Sequence, residues 1–217
     1  MICNIAITDK IIIAGETGTG KTTLAQYYLS LFPRHIIYDP MAEYEDAGFT
    51  NVYVPDTDDP EEFENFLANV WSLGNIMTLI DEAETVMPEK KNLVPHAYKI
   101  IMKGRHVDKS GQGGLVGMIA VTKRIAELKK TVVSQAKAIM LFRHFLPTDI
   151  DYLKSFVGDK ANDLKSMQDH HFLLYSRGET TGPHKVVIPK NFGYANKQKL
   201  NTNNNNINNN YESVDSL

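Results

Sequence analysis

The stretch Lys10 to Leu31, KIIIAGETGTGKTTLAQYYLSL, constrains the fold more than any other part of the chain. Ile11, Ile12 and Ile13 form a short β-branched run, the composition of a buried strand. Gly15 to Thr22 then matches the spacing G-x-x-x-x-G-K-[ST]. Leu24, Tyr27, Tyr28 and Leu31 follow at helical spacing. A loop of this spacing between a strand and a helix is more than a Gly/Thr-rich turn. Gly15, Gly18 and Gly20 let the backbone curl, so that the N–H groups of this stretch, with Glu16, Thr17 and Thr19 between the glycines, face inward as an anion nest. The helix opening at Thr22 and Thr23 adds its positive end. Lys21 is suited to the β- and γ-phosphates, and the Thr22 hydroxyl to Mg2+. The stretch predicts a site for a nucleoside triphosphate, ATP, with Mg2+.

At 217 residues and 42% hydrophobic content, a single soluble domain with a sizeable core is expected. No apolar run has the length of a membrane span, and the opening MICNIAITDK lacks a signal-peptide pattern. The lone cysteine, Cys3, excludes an intrachain disulfide and fits a reducing compartment. The net charge of −3 conceals a swing along the chain. Residues 1–84 carry 3 Lys/Arg against 15 Asp/Glu, residues 85–145 carry 12 against 3, and the remainder is balanced. Such an imbalance suits either a nucleic-acid surface or a charge-complementary contact between subunits. Within the basic segment, Lys129 and Lys130 are the candidates for phosphate contacts on nucleic acid.

Several further strands and helices are legible. Arg34–Asp39 and Thr50–Pro55 read as strands, and Asp59 with Pro60, Glu61 and Glu62 as a strong helix start, the helix stopping at Gly74. Asn75–Glu82 (NIMTLIDE) is a buried strand ending in two acids; Asp81 is suited to Mg2+ and Glu82 to polarising the attacking water. A helix is expected from about Leu93, a flexible break at Gly111–Gly114, and strands at Leu115–Thr122 and Ala138–Phe142. Helices are expected from Pro147 and over about Lys160–Gln168, then a hairpin of His171–Ser176 with Lys185–Ile188. The alternation predicts an α/β fold: a mostly parallel central sheet, helices on both faces and a C-terminal hairpin. Ligands of such sheets bind beyond the carboxyl ends of the strands, where both motifs lie. Eight asparagines in residues 201–210 divide the chain into a domain over 1–195 and a disordered Asn-rich tail over 196–217.

With these residues in place the chain resembles the FtsK–HerA superfamily of P-loop ATPases. GETGTGKTT is similar to the family's phosphate loop, IIYDPMAEY to its DP-x-x-EY element and LIDEAE to its second acidic motif. GRH, then VTKR and AELKKTVVSQAKAIMLFR, resemble the stretch that follows, the likeness covering roughly residues 10–180. One position departs: the family usually has glutamine after the strand threonine, as a γ-phosphate sensor, and here Thr122 is followed by Lys123, a point charge. The resemblance implies a P-loop NTPase of the RecA/ASCE type, hydrolysing ATP with Mg2+ and moving double-stranded DNA as a homo-oligomeric ring. Short single-domain members are typically viral genome-packaging ATPases, which implies a capsid vertex protein as partner and a place in the infected cell's cytoplasm or on the virion. It also implies an arginine finger from the neighbouring subunit, for which Arg105 and Arg143 are favoured over Arg124 and Arg177.

Two other readings compete. A filamentous-phage assembly or toxin-like P-loop ATPase shares the fold but usually carries a membrane span. A small-molecule or nucleotide kinase is opposed by the tandem Asp81-Glu82, because a water-activating acid suits hydrolysis and a kinase must exclude water.

Overall fold

Successive side chains of a strand point to opposite faces, so a strand apolar at every position needs cover on both sides. In the computed structural model, which describes residues 3–57, 59–109, 111 and 113–187, β1 (Lys10–Ala14) is such a strand. Ile12 and Ala14 enter one core, and Ile11 and Ile13 enter a second core on the other face. The same split recurs in β4 (Ile76–Ile80) and β5 (Val116–Thr122): Ile76, Ile80, Val116 and Met118 face the first core, Met77, Leu79, Ile119 and Val121 the second. Each fully buried isoleucine or leucine contributes roughly 1.5–3 kcal/mol, so the double cover holds this sheet together.

The remaining strands are β2 (His35–Tyr38), β3 (Val52–Tyr53), β6 (Ala138–Leu141), β7 (His171–Ser176) and β8 (Glu179–Lys185). The sheet order is β3-β2-β4-β5-β1-β6-β7-β8. Pairings from β3 to β6 are parallel, and β6-β7 and β7-β8 are antiparallel. The second core is covered by α1 (Lys21–Ser30) through Leu24, Ala25, Tyr28 and Leu29. The first lies under α3 (Pro60–Leu73), α5 (Pro95–Lys103) and α7 (Pro147–Val157). Short α2 (Glu43–Asp46), α4 (Ala83–Val86) and α6 (Lys130–Ser134) lie within the connections. α3 starts as its sequence dictates: the Asp59 carboxylate accepts from Glu61 N at 2.9 Å, with Pro60 next.

Three expectations are corrected. The hairpin's second strand begins at Glu179, because Arg177 and Gly178 (φ 54° and 83°) make the two-residue turn that suits strand twist. Gly182 and Pro183, which read as loop, lie in the edge strand β8, where proline is tolerated. The expected break at 111–114 falls partly outside the described residues; at its end Gly114 N donates to the Trp71 carbonyl at 3.0 Å and Leu115 N to that of His106 at 3.1 Å. Residues Gly158–Ser166 form 3-10 turns rather than an α-helix. The Asn-rich tail expected over 196–217 lies outside the described residues.

Candidate active site

The sheet order decides what meets at its carboxyl edge. β5 lies between β1 and β4, so the phosphate loop after β1 and the Asp81-Glu82 pair after β4 flank Thr122-Lys123 at the end of β5. The loop is anchored to both strands beside it. Gly15 N donates to the Thr122 carbonyl at 3.1 Å, and Glu16 N to the Arg143 carbonyl beyond β6 at 2.9 Å. A Cβ on Gly15 would stand 2.6 Å from Phe142 Cβ, and one on Gly20, where φ is 103°, 2.6 Å from His170 Nδ1. Only glycine fits both places. The Thr19 hydroxyl and Lys21 Nζ donate to the Glu16 carbonyl at 2.7 and 2.9 Å, folding the lysine back over the loop. Lys21 is 7% exposed, and burial lowers its pKa against the attraction of Asp81 and Glu82. Thr17, Gly18 and Thr23 lie at the open rim and Thr22 is half-buried in the first turn of α1.

Four acids gather opposite. The Asp81 carboxyl is raised to about 7, chiefly by burial and in smaller part by Glu82, Asp39 and Glu43, although the Glu82 N–H donated to it at 2.9 Å works the other way. Asp39, at the end of β2, is fully buried; its Oδ2 accepts from Tyr44 N at 2.8 Å and its Oδ1 has no partner among the described residues. Glu82 adopts left-handed backbone angles (φ 47°, ψ 43°) and its Oε1 lies 2.7 Å from Lys123 Nζ. Glu84 accepts from Lys123 N at 2.9 Å and is raised by burial. Lys123 is thus clasped by its backbone and its ammonium to the two glutamates of LIDEAE.

No group of three or more His, Cys, Asp or Glu among the described residues could hold a metal alone. A set of one carboxylate, one hydroxyl and phosphate oxygens is what Mg2+ uses, and buried Asp39, its Oδ1 without a partner among the described residues, adds negative charge beside Asp81. The residues present therefore fit Mg2+ held by Thr22 and Asp81.

The other candidates fall in different places. Arg143 lies beside the phosphate loop of its own chain, with Nη1 2.8 Å from Asp169 Oδ1 and its guanidinium over the Phe145 ring. Arg105 lies at the opposite, amino edge of the sheet, exposed and near Lys10. Lys129 Nζ donates to the Glu89 carbonyl at 2.8 Å; Lys130, whose side chain is 68% exposed, faces the Glu89 carboxylate at 3.5 Å.

Sequence reasoning assigned no role to Asp39, Glu84, His144 or Asp149. Asp149, 1% exposed, accepts from Arg124 Nε and Ala126 N, both at 2.9 Å, and so fixes the turn after Lys123. His144 is buried beside Glu16 and Lys21, its Nδ1 donating to the Phe142 carbonyl at 2.8 Å, and burial lowers its pKa. No spacing in the sequence marks either residue.

No family model matches the sequence, and no curated protein matches it. Solved structures do. The genome packaging NTPase B204 from Sulfolobus turreted icosahedral virus 2, in complex with AMPPCP, aligns over 84% of this chain and 100% of its own at 22% identity, TM-score 0.67. VirB4 of Thermoanaerobacter pseudethanolicus aligns over 85% of this chain and 93% of its own at 10% identity, TM-score 0.60. EssC (ATPases 2 and 3) from Geobacillus thermodenitrificans aligns over 93% of this chain and 45% of its own at 13% identity, TM-score 0.56. With its phosphate loop, its β1-β5-β4 order and these matches, the chain has the fold of the P-loop NTPases.

Proposed function

We propose that the chain is an ATP-hydrolysing enzyme that moves double-stranded DNA as a homo-oligomeric ring, in the manner of a viral genome-packaging ATPase. One observation carries the reading. The phosphate loop, the Asp81-Glu82 pair and Lys123 converge at one sheet edge, with Lys123 Nζ on Glu82 at 2.7 Å. The loop N–H groups and Lys21 bind the phosphates and fix their line of attack. Glu82 takes the proton of the attacking water and orients it, while Lys123 sits at the γ-phosphate sensor position. Thr22 and Asp81 would hold Mg2+, which would supply positive charge to neutralise the phosphates.

The similarity of fold to B204 supports packaging, and the basic segment supports DNA as the partner. The trans cation is proposed to be Arg105 or Arg143; Arg143 must first leave Asp169. No helix among the described residues is long and apolar enough to cross a membrane, and the proposed setting is the infected cell's cytoplasm, docked on a capsid vertex protein. Phosphate release measured with and without duplex DNA tests the proposal. Stimulation by DNA together with ring formation supports it; ATP-dependent phosphorylation of a small acceptor instead of release to water would contradict it.

A further inference from the structure

At the amino edge of the sheet, about 16 Å along β1 from the phosphate loop by strand geometry, lies a second concave site. It is a cavity of about 460 Å³ whose lining includes Lys10, Arg105, Lys137, Arg177, Ser134 and Asp9. The four cations come from remote parts of the chain: the start of β1, the residues just past the end of α5, the approach to β6 and the β7-β8 turn. Among the described residues of the lining, one acid, Asp9, faces them. Asp9 accepts from Lys137 Nζ at 2.5 Å and is thereby largely used. Arg105 and Arg177 are exposed and have no ion pair among the described residues.

Lys10 is the unusual member. It is 6% exposed, and among the described residues its ammonium is met by one carbonyl, that of Thr8 at 3.2 Å. A buried ammonium beside an arginine is costly unless an anion accompanies it. Burial first, and Arg105 second, lower its pKa to about 8, against the weaker attraction of Asp9.

We propose that this cavity binds a phosphate-type oxyanion, with Arg105 and Arg177 as its forked donors and Lys10 as the cation at its floor. Guanidinium groups match the paired oxygens of phosphate, and an unpaired arginine loses no existing partner on binding. The anion has two sources: the backbone of a nucleic acid, or a small phosphate compound. Nothing here depends on hydrolysis at the other edge, and binding to the isolated chain requires no neighbouring subunit.

The test uses the full chain carrying Lys21→Ala, which weakens the phosphate loop as a competing anion site. Pyrophosphate is titrated by calorimetry, and a fluorescent duplex of about 20 base pairs by anisotropy over a range of salt. Saturable binding of either probe is expected, with affinity falling at least about tenfold on adding Arg105→Ala and Arg177→Ala. For the duplex, the salt slope should drop by roughly one unit per lost contact. Duplex binding identifies the nucleic-acid backbone as the source; pyrophosphate binding without duplex binding identifies a small phosphate compound. Lys10→Met, checked for folding by circular dichroism, should weaken the same probe. Binding of neither probe, or equal binding when both arginines are gone, overturns the proposal.

Discussion

Replacing Lys123 by methionine separates stability from chemistry at the position that follows Thr122 at the end of β5. The Lys123–Glu82 pair spans 2.7 Å, but its side chains are 42% and 17% exposed. A pair this open to water is worth at most about 1 kcal/mol, or roughly 2–4 °C in Tm for a domain of this size. Methionine keeps the length of the stem, so the folded state should lose no more. Turnover should respond far more. A charge-assisted contact that strengthens on the transferring phosphoryl group contributes roughly 1.5–3 kcal/mol, a factor of about 10 to 150 in kcat. Phosphate release beside scanning calorimetry should therefore show kcat lower by one to two orders of magnitude, with ATP affinity within about threefold of the parent. Lys123→Gln should recover part of the loss because an amide still donates. A kcat within about twofold of the parent would remove Lys123 from the chemistry. A Tm lower by more than about 8 °C would make the pair a structural one.

Asp149→Ala should cost about 3 kcal/mol, since it removes two charge-assisted hydrogen bonds and strands the Ala126 N–H; urea unfolding measures it, and a loss below about 1 kcal/mol would contradict the anchoring role. Lys129→Ala with Lys130→Ala should lower the salt slope of DNA binding by roughly one unit, because Lys129 is turned onto a carbonyl and Lys130 alone is well exposed. An unchanged slope with a raised concentration for ring assembly would make this an assembly surface instead. Lys10, lowered in the folded state, leaves the unfolded chain binding more protons between about pH 8 and pH 10.5, so stability relative to Lys10→Met should rise with pH across that window, by up to about 1.4 kcal/mol per unit. Parallel stability curves for the two proteins would show that the Lys10 ammonium is not desolvated.

The strand–loop–helix around Lys21 was legible because glycine spacing and apolar runs are local, and the α3 start because Asp59-Pro60 is local chemistry. The apolar strands were legible for the same reason, but their order was not: insertion of β5 between β1 and β4 is a tertiary fact, and it is what puts Lys123 on Glu82. The hairpin was misplaced because Gly182-Pro183 is a stronger turn signal than Arg177-Gly178, and tertiary pairing outweighed it. Asp149 and His144 stayed unread because burial, not spacing, gives them their roles. No sequence pattern singled out Lys10, and only the fold brings Arg105 and Arg177 beside it.

Hydrolysis by Glu82 at a phosphate loop held by Lys21 is tested most directly by following bound ATP in Glu82→Gln, with Lys21→Ala beside it. Glu82→Gln keeps the shape of the site and Asp81, so it should bind ATP at near-parent affinity and retain it unhydrolysed. Lys21→Ala removes the buried ammonium that folds over the loop and should lose both binding and turnover. Parent-like phosphate release from Glu82→Gln, or undiminished ATP binding by Lys21→Ala, would contradict the account.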